Sequence, residues 1–230
     1  MDGIAQGEVA YIVAGRTLNT VTAEPVTRTE RKERTRRALL DAALELLADR
    51  GFASLSLREV TKRAGIVPTA FYRHFASMDE LGVALVEESM RTLRSMLRAA
   101  RSDPRSATDV IRASVAVLYE HVRANEDHFR FVTRERYGGT GAVQQAIGIE
   151  LKLFSSELAV DLARFEFLRE WSTDDLHMMA GLIVTAMLAT VLELVEARPR
   201  DAETDERIVR TAEKRLRLIT VGVPGWHSTT

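Results

Sequence analysis

A chain of 230 residues that is 46% hydrophobic and 28% charged can bury a real core, in one medium domain or two small ones. Its formal net charge of −1 excludes a global attraction to nucleic acid; the absence of cysteine excludes disulfides, thiolate zinc sites and thiol switches, as fits a cytoplasmic protein. The charge is unevenly spread: residues 28–73 carry eleven Lys/Arg against six Asp/Glu, so one end of an otherwise acidic chain is suited to DNA.

Residues 1–27 have no helical period and contain Gly3, Gly7, Gly15 and Pro25, which predicts a flexible N-terminal arm. No basic residue precedes the apolar "VAYIVAG", so a secretory signal is not expected. The basic run from Arg28 to Arg37 reads as a helix face, with Arg31, Arg34 and Arg36 as phosphate contacts. The helix continues through Leu39, Ala42, Ala43, Leu46 and Leu47 as an amphipathic stripe that Gly51 ends. Ser56 with Glu59 forms a capping box, and Leu57, Val60 and Ala64 give the next helix one buried face. Gly65 stops that helix, and Pro68 opens another whose Phe71 and Phe75 point inward. Thr69, Ala70, Tyr72, Arg73 and His74 are left on its outer side and edges. A helix, a glycine turn and a short exposed helix make a helix-turn-helix, the arrangement that lays its second helix in the major groove.

The run from Gly51 to Leu81, "GFASLSLREVTKRAGIVPTAFYRHFASMDEL", resembles the DNA-binding domain of the TetR family of transcriptional regulators, with "TAFYRHF" followed by "MDEL" similar to its recognition-helix signature. "FASLSLREV", "GIVPTAFYRHF" and "DELGVALVEES" resemble the FabR/DesT-type repressors of unsaturated fatty-acid synthesis. The resemblance is dense over residues 31–100. It implies that Thr69, Ala70 and Arg73 face base edges or the adjacent backbone, that Tyr72 and His74 hold phosphates, and that Ser56 and Arg58 flank them. Where the wider family has a Ser cap, this chain has Val67, so Pro68 sets the helix start.

Ser77 with Glu80 repeats the capping-box pattern and starts a long helix carrying Leu81, Leu85, Met90, Leu93, Leu97 and Ala100, broken at Asp103-Pro104. It is long enough to link the head to a second domain. Val110–Val122 is amphipathic and Asn125 ends it. A short segment with Phe129, Phe131 and Val132 follows, then "RERYGGTG" at 134–141 as a loop, without the Gly-Lys-Ser/Thr ending of a phosphate loop. Val143, Ile147, Leu151, Phe154, Leu158, Leu162 and Phe165 form one stripe. Residues 178–192 are uncharged but shorter than the roughly twenty residues a bilayer span needs, so they read as a buried helix covered on several sides, best met by a dimer. Ile208, Ala212, Leu216 and Ile219 mark a last amphipathic helix before a tail at 223–230.

No Gly-x-Ser-x-Gly elbow, His-Glu-x-x-His or cysteine nucleophile exists, and His121 and His128 lack a third metal ligand nearby. The chain therefore reads as a non-enzyme with no catalytic residue, metal or cofactor. The expected fold is all-α: a helix-turn-helix domain over 28–77 and a larger helical ligand-binding and dimerisation domain over 78–222, with the last two helices forming a four-helix dimer interface. The expected function is a ligand-responsive regulator, a repressor of fatty-acid and lipid genes, binding palindromic double-stranded operator DNA as a homodimer without membrane attachment. The resemblance implies a pocket between the helices of the second domain. The reading fills it with a long-chain acyl group, as fatty acid or acyl-CoA, against Met90, Leu93, Leu118, Val122, Phe129, Val132, Leu151, Phe154, Leu158 and Met187, with Arg134 or Arg136 selecting the phosphate-bearing head group. The alternatives are another hydrophobic effector, a ligand-independent DNA-binding protein without a cavity, and a helical enzyme whose pocket gathers titratable groups.

Overall fold

The structure, a computed structural model, describes residues 27–101, 107–139 and 141–228. The arm proposed for 1–27 and the break at Asp103-Pro104 therefore fall, but for Thr27, outside the described residues. The described chain is all-α. Helix α1 (Arg28–Leu46) begins at a reciprocal cap: Thr27 Oγ1 accepts the Glu30 N–H at 3.2 Å, and the Glu30 carboxylate accepts the Thr27 N–H at 2.6 Å. A 3-10 turn at Phe52–Ser54, α2 (Leu57–Arg63) and α3 (Pro68–Phe71) complete a small head. Leu39, Leu40, Ala43, Leu47, Val60, Phe71 and Phe75 fill its centre.

α1 ends earlier than the expected stop at Gly51. Its cap is Leu47, and Gly51 instead precedes the 3-10 turn. The carbonyls left open there are taken up by Arg134, which reaches across from the second domain.

α4 (Met78–Arg101) starts where Ser77 Oγ accepts the Glu80 N–H at 3.1 Å, while the Glu80 carboxylate reaches one residue further back, to the Ala76 N–H. Its stripe of Leu81, Leu85, Met90, Leu93 and Leu97 is buried, first against the head and then against the body. The body consists of α5 (Ala107–Ala124), α6 (Glu126–Gly138), α7 (Gly141–Leu162), α8 (Thr173–Glu196) and α9 (Ala202–Val221). α7 packs between α4 and α8. A partly buried Arg94–Glu150 pair at 2.6 Å joins α4 to α7, and Arg123 ties α5 to α9 through Asp205 and to α8 through the Leu194 carbonyl at 3.0 Å.

Two further expectations change, at 134–141 and after α9. The supposed loop at 134–141 is mostly the end of α6, because Arg134 and Glu135 are anchored to the head and hold a turn that Gly138 alone would weaken by about 1 kcal/mol. Within one chain α8 is covered on one side: Leu176, Met179, Ala180, Val191 and Leu194 are buried, while Met178 and Leu182 are exposed. The segment after α9 is tied down as far as Ser228. Trp226 lies 6.5 Å from Trp171, Ser228 Oγ accepts the Ser172 N–H at 2.7 Å, and its hydroxyl donates to Asp175.

Candidate nucleic-acid interface and effector cavity

The exposed end of the head is built from two short helices and the turn between them. The Glu59 carboxylate accepts the Ser56 N–H at 3.0 Å and its hydroxyl at 2.6 Å, and Arg50 donates to it at 3.0 Å. These bonds, the Ser56 hydroxyl foremost, hold the Glu59 carboxyl down at about 2, so the cap stays ionised at physiological pH. Gly65 takes a positive φ of 68° and lets the Ile66 N–H return to the Thr61 carbonyl at 2.9 Å. Val67 gives α3 no side-chain cap, and Pro68 occupies its first turn.

The second helix is shorter than expected. α3 is one helical turn, continued by two tighter turns in which the Arg73 N–H meets the Ala70 carbonyl at 3.2 Å and the His74 N–H meets that of Phe71 at 2.8 Å. Phe71 and Phe75 anchor it from beneath, with ring centroids 5.7 Å apart. Thr69 and Arg73 are exposed, as are Pro68, Ser56, Arg58, Arg31 and Arg34, and Tyr72 is 63% exposed. Ala70, His74 and Arg36 are half-buried. The Arg36 guanidinium lies over the Phe75 ring, 5.0 Å from its centroid, so part of its reach is spent on the head itself. His74 is lowered from 6.5 by burial first, then by Lys32, Arg36 and Arg73, and its Nδ1 has no partner. Lys32 and Arg36, both on α1, place its basic half beside α3.

The body encloses a cavity of about 140 Å³, many times the roughly 10–15 Å³ that one water needs. Of the ten side chains expected around it, Met90, Leu93, Leu118, Phe129, Val132, Leu151, Phe154, Leu158 and Met187 line it. Val122 does not; it is fully buried in the core. Arg134 is also absent from the wall, being engaged with α1, whereas Arg136 lines the cavity with its Nε buried and unpartnered and its guanidinium 5.6 Å from the Tyr137 ring centroid. Tyr137 and Phe167 line the cavity and are exposed, so the space opens beside them. Few polar groups face it. Ser114 Oγ is buried without a partner, the Thr133 hydroxyl is spent on the Phe129 carbonyl at 2.8 Å, and buried Asp161 has Arg164 at 3.6 Å.

The lining set read from the sequence left out Phe165, Phe167, Met179, Ile183, Val184 and Leu188. The signal was the offset between the inward series 179, 183, 187 and the outward series 178, 182, hidden because α8 is apolar on both. A second, polar hollow of about 270 Å³ lies between head and body, lined by Arg37, Asp41, Glu88, Ser89, Thr92, His121, Asn125 and His128. Burial lowers the pKa of both histidines, and the Arg37–Glu88 pair at 3.1 Å spans the hollow from α1 to α4. Among the described residues no group of three metal-binding side chains converges.

Residues 39–85 match the family model "Bacterial regulatory proteins, tetR family", and residues 107–220 match "Tetracyclin repressor-like, C-terminal domain". The chain belongs to the TetR family. It is thus a transcriptional regulator with an N-terminal DNA-binding domain, of a family that acts by binding DNA rather than by catalysis. Solved structures share the regulator's fold at low identity. A putative transcriptional regulator from Pseudomonas aeruginosa PAO1 is 18% identical, with a TM-score of 0.68 over 85% of this chain and 95% of that one. The fatty acid degradation regulator FadR from Bacillus halodurans is 16% identical, with a TM-score of 0.66 over 85% and 97%. FadR from Bacillus subtilis, solved in complex with stearoyl-CoA, is 18% identical, with a TM-score of 0.66 over 83% and 99%.

Proposed function

We propose that this regulator binds a palindromic operator as a homodimer, represses genes of fatty-acid metabolism, and responds to a long-chain acyl group carried as its CoA thioester. The observation that carries the reading is the apolar cavity between α4 and α9, with one unpartnered Arg136 nitrogen in a wall otherwise rich in Leu, Phe and Met. The likeness to a FadR solved with stearoyl-CoA supports the ligand class. Each buried methylene contributes about 0.8 kcal/mol, so a chain of about sixteen carbons has on the order of 10 kcal/mol of gross drive before ordering losses. In this reading Arg136, stacked by Tyr137 beside an opening, takes the phosphate-bearing head group that Arg134 is not free to meet.

At the other end, Thr69, Ala70 and Arg73 face bases, while Arg31, Arg34, Ser56, Arg58, Tyr72 and His74 meet phosphates beside the turn that Pro68 opens. Arg36 joins them only by leaving the Phe75 ring. The test is titration of operator binding with saturated and cis-unsaturated acyl-CoAs of equal length, together with thermal shift. The expected result is stabilisation by both and a different operator affinity with each. Indifference to both, with no thermal stabilisation, overturns the acyl reading.

A further inference from the structure

Helix α5 turns one face to the cavity, carried by Val110, Ile111, Ser114 and Leu118. Ile111 shares a packed cluster with Leu216 of α9 and with Ile183 and Met187 of α8, and all of them line the same space. Ser114 thus sets a hydroxyl in the middle of an otherwise apolar stripe. A buried hydroxyl on a helix can return to a carbonyl one turn back. Thr61, Ser89, Thr133 and Thr190, all buried, do so, to Leu57 at 2.9 Å, Leu85 at 2.7 Å, Phe129 at 2.8 Å and Ala186 at 3.1 Å. Ser114 does not. Its Oγ is buried and has no partner.

The other polar groups of the wall are engaged or reach solvent. Thr133 and Thr220 bond within their own helices, Thr220 to the Arg217 carbonyl at 2.8 Å. Asp161 has Arg164 at 3.6 Å, and Tyr137 is exposed. Among the described residues of the wall, the buried polar atoms left without a partner are Ser114 Oγ on α5 and Arg136 Nε on α6. With Arg136 given to the head group, Ser114 still needs a partner of its own. A plain methylene beside it leaves the hydroxyl unpaired once the occupant has driven out water, whereas an oxygen on the occupant restores a bond. The selection is asymmetric: an apolar wall rejects an added hydroxyl weakly, but a site with a buried polar group rejects the analogue that leaves it unpaired. A serine hydroxyl both donates and accepts, so a keto and a hydroxyl oxygen each satisfy it.

We propose that Ser114 is a specificity-determining residue and that the effector is an oxygen-bearing acyl group, a hydroxyacyl or oxoacyl thioester whose chain oxygen meets the Ser114 hydroxyl inside the cavity. The acyl chain rests on the reading given above; the oxygen rests on Ser114.

Calorimetric titration of the full-length protein tests the two separately, comparing wild type with Ser114→Ala, which suits a helix, and with Ser114→Cys, which keeps the shape and bonds weakly. The first probes are stearoyl-CoA and its hydroxy and oxo derivatives, with the oxygen moved along the chain. The second are phenol and toluene, which differ by a hydroxyl in place of a methyl and suit a cavity of this size, since one of about 150 Å³ takes benzene. In wild type at least one oxygen position is expected to bind about tenfold tighter than stearoyl-CoA, and Ser114→Ala and Ser114→Cys are expected to lose that preference while binding stearoyl-CoA as well or better. The ratio of phenol to toluene affinity is expected to fall about fivefold or more in Ser114→Ala. An oxygen preference that survives in Ser114→Ala, or acyl-CoAs that bind wild type with no preference at any position, overturns the proposal. If no acyl-CoA binds, the acyl reading fails and the ring pair decides: a ratio that falls in Ser114→Ala upholds the role of Ser114, while an equal ratio, or no binding of either ring, overturns it.

Discussion

The His74 imidazole is half-buried behind exposed Tyr72 and Arg73, with an unpartnered Nδ1 and three cations nearby that add to the effect of burial. Its pKa is below the ordinary 6.5, so it is neutral near pH 7 and gives a phosphate only an uncharged hydrogen bond. A phosphate brought beside it acts in the opposite direction and favours the protonated ring. DNA binding is then expected to take up a proton, and affinity to rise as pH falls below about 6.5. Fluorescence titration of operator DNA between pH 5.5 and 7.5 measures this, and His74→Gln should flatten the profile. A second test at this scale concerns Gly82, where an added Cβ would lie 2.6 Å from both the Phe52 ring and Val143. Alanine favours a helix over glycine by about 1 kcal/mol, while overpacking costs about 1–3 kcal/mol. Phe52 is buried against Phe131 and yields little, so repulsion should win. Gly82→Ala should lower the thermal midpoint by a few degrees, and an unchanged or raised midpoint would show that the ring gives way.

Among the helices, α1 and α3 are expected to divide affinity from specificity. Arg31 and Arg34 are exposed on the basic half of α1, and the contacts proposed for them are to backbone phosphate. Replacing either by Ala should weaken all DNA sequences alike and reduce the salt dependence by about one unit per lost contact. Thr69→Ala or Arg73→Ala should instead change which base is preferred, by about 1–3 kcal/mol at the affected position. Selection from a random operator library before and after each substitution separates the two effects. The elements that were legible in the sequence are those whose stability is local. Ser56 with Glu59, Gly65 with Pro68, and the Leu81–Leu97 stripe each act within a few residues, and each appears at the place read for it. The end of α6 was misread because its support comes from residues more than eighty positions away. The Ser77 cap was half-legible: the hydroxyl caps as expected, but the acid chooses the Ala76 amide. The cavity itself was implied only by the family resemblance; periodicity on α4 and α7 gave the inward face that turns out to line it. On α8 periodicity gave no such face, since Leu, Ile, Val and Met carry no mark of which face they serve.

For the whole molecule the outward face of α8 is decisive. Met178, Leu182, Thr185 and Ala189 recur at helical spacing on that face; all four are exposed, Leu182 to 54%. On α9, Leu218 is 74% exposed and Val221 is likewise uncovered. An apolar face of this extent on two long helices is expected to be covered by its own copy, since a self-complementary patch closes under two-fold symmetry and leaves no sticky remainder. Two heads are also what an operator needs, because one helix-turn-helix reads a few base pairs and half-sites sit about 34 Å apart. Val184 and Leu188, in the apolar stretch 178–192 read as dimer-covered, line the cavity. Charging them would report on the cavity, not on assembly. The discriminating substitution is Leu182→Glu, which leaves the cavity wall intact and buries an unpaired charge only if the face is covered. The loss is then about 3–5 kcal/mol per buried charge, and a two-fold dimer buries two, so dimer dissociation rises by on the order of ten-thousandfold or more. Sedimentation at micromolar concentration should show the wild type as a dimer and Leu182→Glu as a folded monomer with unchanged helicity, and Leu218→Glu should show the same if α9 shares the interface. A Leu182→Glu protein that still sediments as a dimer would move the interface off α8, and with it the expected spacing of the two recognition helices.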